Sequence, residues 1–427
     1  MVDVHPASST GGVVTPTRAT TRRLAARSEA ERRARVRWWV LTPAVFALAW
    51  GGNHFTPLLH LYKTAGSYSA WETNLLLGMY VFGLGPGLLV ASALSDKSGR
   101  KPVLLSGVAL SLVGSAILAM SLEHFALLCA GRVLVGIGVG VAMSVGTTWM
   151  TELSRPPFDR HATAAAGARR PALTLTLGFG IGAGVSGCLA QWAPYPTVLP
   201  FAVHGLLALV GIVLAALVPE TRGPEQRVKG SWMRDVRIPR GSGSRFASVI
   251  LPAAPWVFAA AGVAYAIIPS SMESVMGDAT TLYATVLAVL TLGVGALAQG
   301  LVPPLNRITR GRALSIGLAV MVMGILLAAV VTALGDPLLS LVAAAVLGGA
   351  YGICVLSGLI IIQTIAGPNE LAGSTGIYYA LTYSGFLLPT LLAWAVPLLS
   401  YTESLLIVAG VCVACWAVVT MALIRKP

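Results

Sequence analysis

From residue 38 almost to the C-terminus, apolar runs of about twenty residues follow one another with short polar breaks between them. A run of that length as a helix matches the hydrocarbon thickness of a bilayer, whereas a barrel strand needs about 10 residues of alternating polarity. Twelve such runs are read, at about 38–62, 73–95, 102–120, 125–150, 172–192, 197–218, 248–268, 281–302, 313–333, 337–366, 371–396 and 402–424. They are numbered here as spans 1 to 12. The expected fold class is an all-α membrane protein with twelve transmembrane helices. Composition agrees: 56% of residues are hydrophobic and 11% charged, against about 25% charged in a soluble domain.

The net charge of +13 would suit a nucleic-acid partner if the basic residues clustered without regard to topology, and they do not. If the N-terminus is cytoplasmic, the segments 1–37, 96–101, 152–170, 219–247, 303–312 and the C-terminus hold 27 of the 29 Lys and Arg on one side. Lys63 falls on the other side and Arg132 inside span 4, so the positive-inside rule fixes the orientation and removes the nucleic-acid reading. Residues 1–37 read as a disordered basic cytoplasmic tail that can meet anionic lipid. Residues 38–218 and 248–424 read as two pseudo-symmetric six-helix bundles, joined by a cytoplasmic loop over 219–247. Gly136, Gly138 and Gly140 in span 4 match Gly348, Gly349 and Gly352 in span 10.

The five cysteines lie in apolar stretches and read as packing residues with no disulfide framework. The six histidines are scattered without metal-ligand spacing, so no metal, no cofactor and no enzymatic activity are expected.

The loop after span 2 reads Asp96-Lys97-Ser98-Gly99-Arg100-Lys101. Gly99 permits a tight turn between two helices. Asp96 ends span 2, where a negative charge opposes the helix dipole and needs partners. Glu152, at the same end of span 4, is the expected partner of Arg100. This loop resembles the signature G-x-x-x-D-[RK]-x-G-R-[RK] of the major facilitator superfamily, with five of six defining positions matched and Ser92 in place of the first glycine. The resemblance implies a cytoplasmic gate of Asp96, Lys97, Gly99, Arg100, Lys101 and Glu152, in which Asp96 meets the N-terminus of span 11 near Gly373 and Ser374.

Candidates for a substrate or coupling cavity follow from polar residues inside spans. Arg132 lies about 10 Å into span 4 at 1.5 Å per residue, where a cation needs a wet cavity or a partner; an arginine followed by spaced glycines there also resembles a second motif of the family. Asn53 and His54 sit mid-span beside Gly51, Gly52 and Pro57, and a histidine there can titrate near neutral pH. Tyr265, Gln299, Tyr379 and Tyr383 are weaker candidates from the second half. His204 reads as structural, and Glu72 and Glu273 as solvated at outer helix ends.

The family resemblance implies a secondary active transporter of a small organic compound, working by alternating access as a monomer in the plasma membrane with both termini cytoplasmic. Proton-coupled efflux is the expected mode; the alternative is a sugar- or metabolite-importing porter or an uncoupled facilitator. Span 5 lacks the Gly-Pro pair of drug–proton antiporters. Pro219-Glu220-Thr221-Arg222 resembles a sugar-porter boundary, yet span 7 lacks that group's Gln pair.

Overall fold

The computed structural model describes residues 38–163, 166–223, 225, 243–365 and 371–425. The tail over 1–37 and most of the loop over 219–247 lie outside the described residues. Among the described residues there is no strand, and ten helices are individually long and apolar enough to cross a membrane.

Those ten are spans 2 to 10 and span 12: Ala70–Ser98, Arg100–Met120, Phe125–Leu153, Ala166–Trp192, Leu199–Leu217, Gly243–Ser271, Glu273–Ile308, Ala313–Leu334, Pro337–Ile365 and Tyr401–Arg425. Spans 1 and 11 complete the twelve as broken helices. Span 1 consists of Thr42–Asn53, a tight turn at Thr56–Leu58 and Leu59–Ala65. Pro57 has no N–H for the carbonyl of Asn53, so the ladder lapses there. Span 11 breaks in the same way, between Leu371–Ser384 and Leu388–Ala395, with Pro389 unable to serve the carbonyl of Gly385.

Local chemistry sets the ends. Ser69 and Glu72 form a reciprocal capping box at the start of span 2. Gly99, at φ +103°, turns the chain directly from span 2 into span 3; an L side chain is strained in that conformation. Wide π turns interrupt span 4 at Ala142–Gly146 and span 7 at Phe246–Ile250 and Val263–Ile267.

Glycines let helices meet backbone to backbone, which is how membrane helices associate when lipid is as apolar as their side chains. A Cβ at Gly136 of span 4 would lie 2.1 Å from the carbonyl oxygen of Tyr80 in span 2. Its counterpart in the second bundle is Gly352 of span 10, where a Cβ would lie 2.0 Å from the carbonyl oxygen of Gly295 in span 8. Spans 2 and 4 therefore pair as spans 8 and 10 do, which is the pseudo-symmetry in atomic form. The two bundles meet along spans 2 and 11 and along spans 5 and 8.

The loops holding Asp96–Lys101, residues 152–163 and residues 303–312 share one end of the bundles, here termed the basic face. The ends of spans 1, 5 and 8 near Lys63, Trp192 and Glu273 define the opposite face.

Candidate functional site

Arg132 is fully buried, at 0% exposure. The close approach of spans 2 and 4 at Gly136, one turn along, brings its guanidinium against span 2. There Nε donates to the carbonyl of Leu76 at 3.0 Å. The guanidinium carbon sits 4.5 Å from the ring centre of Phe55 and 5.0 Å from that of Tyr80. Both terminal nitrogens lack a hydrogen-bond partner among the described residues. A buried cation is tolerated between aromatic faces, but two unmatched donor groups carry a desolvation cost.

His54 is also fully buried, and both its ring nitrogens lack partners among the described residues. Its ring lies 5.0 Å from Phe201 and 4.9 Å from His204. His204 is satisfied instead. Its Nε2 donates to the carbonyl of Ala47 at 3.0 Å, and its Nδ1 accepts from the Ser115 hydroxyl at 2.8 Å. The neutral ring has one donor and one acceptor, and both are used. Asn53 is buried at the end of the first piece of span 1.

Tyr80 links this polar centre to the second bundle. Its ring lies 6.0 Å from Tyr383 and 6.5 Å from Phe386. Tyr383 stacks on Phe258 at 3.9 Å and donates to the sulfur of Met143 at 3.4 Å, across the bundle interface. Tyr265 lies 6.3 Å from Phe386, with its hydroxyl buried and unpartnered among the described residues. The result is an aromatic wall from spans 2, 7 and 11 beside a cation from span 4. Tyr379 flanks this wall next to Tyr378, whose hydroxyl donates to the carbonyl of Val355 at 2.9 Å. Gln299 is half-buried in a tight turn, Gln299–Leu301, and makes no hydrogen bond with the cluster. Phe55, Tyr80, Phe258 and Phe386 were not among the sequence candidates, because an aromatic residue in an apolar run carries no mark of its neighbours.

At the basic face Arg100 is nearly buried. Its Nη1 reaches Asp96 at 2.8 Å and Ser95 at 2.7 Å, and its Nη2 reaches Glu152 at 3.0 Å. Arg222 also pairs with Asp96, at 2.7 Å. Glu220 receives the backbone N–H groups of Arg100 and Lys101, each at 2.9 Å, so it caps the positive end of span 3. The Thr221 hydroxyl donates to Glu152, and Lys101 donates to the carbonyl of Ala216 at 2.9 Å. Lys97 is half-buried beside them. Among the described residues no hydrogen bond or ion pair joins Asp96 to the start of span 11: its carboxylate meets Arg100 and Arg222, and the Ser374 hydroxyl is buried without a partner. Glu220 and Arg222 were absent from the sequence candidates; their place at the end of span 6, on the same face as the Asp96 loop, is the signal that could have found them. Nearby, the Arg170 guanidinium holds the Asp159 carboxyl below the ordinary carboxylate range.

The opposite face carries polar ties between the bundles. Glu273 of span 8 meets Lys63 of span 1 and lies 3.5 Å from His60. Gln191 of span 5 donates to the carbonyl of Asp278 and accepts from the N–H of Leu282, both at 3.0 Å. Glu273 is therefore an inter-bundle contact rather than a solvated helix end, while Glu72 is spent on the capping box.

Residues 41–390 match the family model described as "Major Facilitator Superfamily". "Multidrug resistance protein MdtL" of Escherichia coli O45:K1 (strain S88 / ExPEC) is 36% identical over 85 residues, 19% of this chain and 22% of that protein. "Proton myo-inositol cotransporter hmit-1.2" of Caenorhabditis elegans is 29% identical over 137 residues, 32% of this chain and 21% of that protein. The chain thus matches 22% and 21% of the length of these two relatives. Among solved structures, a point mutant of the nucleoside transporter NupG superposes with a TM-score of 0.71 at 14% identity, covering 90% of this chain and 99% of that one. That likeness is one of fold.

Proposed function

The chain belongs to the Major Facilitator Superfamily, and on that premise we propose that it is a secondary active transporter of a small organic compound. It works by alternating access, as a monomer in the plasma membrane, with the basic face and both termini cytoplasmic. The transported compound sits between Arg132 and the aromatic wall of Tyr80, Tyr265, Phe258, Tyr383 and Phe386. Arg132 carries this reading: a fully buried cation whose terminal nitrogens both lack a partner among the described residues is matched to an acceptor that those residues do not supply. The compound therefore presents a carboxylate, phosphate or carbonyl group to Arg132 and a flat apolar body to the rings.

Transport is proton-coupled efflux in this proposal. The segment like MdtL favours export, and His54, with both ring nitrogens free of partners beside Arg132, is the titratable group assigned to coupling. The ties of Lys63, His60 and Gln191 to span 8 close the opposite face, and opening toward that side requires breaking them. The cluster of Arg100, Asp96, Glu152, Glu220 and Arg222 anchors the basic face. The second reading is a metabolite-importing porter. It is favoured by the segment like the inositol cotransporter and by the place of Pro219–Arg222 in the basic-face cluster.

The test is a thermal-shift screen of the purified full-length protein against metabolites and drugs, followed by flux of each hit in proteoliposomes. Flux that responds to an imposed pH gradient is expected. Flux unchanged when the gradient is collapsed would replace coupled transport with facilitation, and a hit equally strong in Arg132→Ala would remove Arg132 from the site.

A further inference from the structure

The loop joining spans 8 and 9 occupies the place that the Asp96 loop holds in the first bundle, yet it has no acid to hold its basic residues. Residues 303–312 contain Arg307, Arg310 and Arg312 and no Asp or Glu. Asn306 stands where the first loop has its acid, and it serves the backbone: its side-chain oxygen accepts from the N–H of Ala313 at 3.2 Å, and its carbonyl from that of Gly311 at 2.8 Å. In the first loop Arg100 is held by two carboxylates. In the second, none of the three guanidinium groups makes a hydrogen bond or ion pair among the described residues.

The backbone shapes a concavity around two of these cations. Arg310 at φ +53° and Gly311 at φ +86° turn the chain back on itself. The Thr309 hydroxyl fixes the turn by donating to the carbonyl of Leu305 at 2.6 Å and accepting from the N–H of Arg312 at 3.2 Å. A pocket of about 470 Å³ results, lined by Ile308, Thr309, Arg310, Arg312, Ser315 and Ile316. Its floor is braced, because Ser315 bonds Thr420 of span 12 at 2.6 Å and accepts from the Trp416 ring N–H at 3.2 Å.

An apolar track leads away from it into the membrane. Leu297, Leu301 and Ile308 of span 8 are 79%, 54% and 79% exposed. They follow one another along the basic-face end of span 8, on either side of and within the tight turn Gln299–Leu301. A cationic pocket at a helix end, continuous with an exposed apolar stripe, is complementary to a molecule with an anionic head and a hydrocarbon tail.

We propose that this pocket binds the phosphate headgroup of an anionic phospholipid from the leaflet at the basic face. Arg310 and Arg312 hold the phosphate oxygens, and an acyl chain lies along Ile308, Leu301 and Leu297. Guanidinium groups suit this role because their forked donors match phosphate oxygens in pairs.

The experiment uses full-length protein, delipidated in detergent and titrated with phosphatidylglycerol or phosphatidylcholine, with bound lipid counted by native mass spectrometry. Wild type is expected to retain phosphatidylglycerol preferentially. Arg310→Gln/Arg312→Gln is expected to weaken that binding by roughly five-fold per arginine, the change corresponding to about 1 kcal/mol for each basic residue near an anionic surface. Arg160→Gln/Arg425→Gln, which removes equal charge from the same face, should leave retention unchanged. Unaltered retention in the first variant, or equal loss in the second, would overturn the proposal. Displacement of the lipid by glycerol 3-phosphate at equal concentration would also overturn it, by making the pocket a site for soluble phosphate. A first variant that elutes aggregated is replaced by Leu301→Ser/Ile308→Ser. That pair keeps the arginines and should weaken retention of the long-chain lipid but not of its short-chain analogue; equal retention of the long-chain lipid would overturn the proposal.

Discussion

Replacing Arg132 with methionine separates a binding group from a structural one. The folded state carries two unmatched terminal nitrogens, each costing about 1–3 kcal/mol when buried, so about 2–6 kcal/mol in all. Against this stand one charge-assisted hydrogen bond to Leu76, about 1.5–3 kcal/mol, and two ring contacts at about 0.5–2 kcal/mol each. The two sides nearly cancel. Methionine fills the slot between Phe55 and Tyr80 without a charge, and the Leu76 carbonyl keeps its place in the ladder of span 2. Arg132→Met should therefore unfold in detergent within about 2 kcal/mol of wild type, whereas removing one partner of a satisfied buried pair costs about 3–5 kcal/mol. The same variant should lose both the thermal shift given by a transported compound and all flux in proteoliposomes. A large loss of stability with ligand shift and flux intact would refute the reasoning, since Arg132 would then be holding the bundle together rather than waiting for an acceptor.

Glu273→Gln removes the ion pair with Lys63 and changes the contact with His60; these side chains are partly exposed, so the loss is about 1 kcal/mol, or roughly a five-fold shift toward opening at the opposite face. Faster alkylation of an introduced Asn53→Cys, in a background free of other cysteines, should follow, and an unchanged rate would dismiss the clasp. Gly136→Leu or Gly352→Leu drives a side chain into carbonyl oxygens 2.1 Å or 2.0 Å from the new Cβ, and should lower stability by more than the about 1–3 kcal/mol typical of overpacking. Gly180→Ala, with nothing within 4 Å of its new methyl, serves as the control, and equal melting temperatures for all three variants would contradict the close helix approach.

Fold class was legible because hydropathy reports directly on lipid, and the Arg100–Glu152 pair was legible because two opposite charges sit at ends of neighbouring spans on one face. Helix ends were harder. The main helix of span 8 starts at Thr280, close to the sequence reading, but the short helical turn Glu273–Met276 before it, ended by Gly277 at φ +50°, was not legible, because Glu273 and Asp278 depress the local hydropathy. The π turns of spans 4 and 7 left no trace, since one extra residue per turn does not alter composition. Glu273 was misread for a different reason: its partner Lys63 lies 210 residues earlier, and charge patterning along a chain does not see such a contact. Span 4's glycines were visible, but not that Gly136 seats Arg132 against Leu76.

The two bundles share a backbone plan and divide the chemistry between them. Glycines at 136 and 352 pair spans 2 with 4 and 8 with 10 by the same close approach, so the repeats agree where packing decides. They part where charge decides. The first bundle holds the buried cation and the histidine, while the second contributes Tyr265, Phe258, Tyr383 and Phe386 and no buried ionisable carboxylate or cation among the described residues. At the basic face the arginine of the first loop is held by Asp96 and by Glu152 of span 4, and the second loop leaves its three arginines free among the described residues. In the proposed site, a solute with an acceptor group and a flat apolar body meets charge on one side and rings on the other. In the proposed alternating-access cycle, rocking one bundle against the other would change the distance between those two surfaces without requiring either to rearrange, so that asymmetric side chains on a symmetric frame would let rigid-body motion alter affinity.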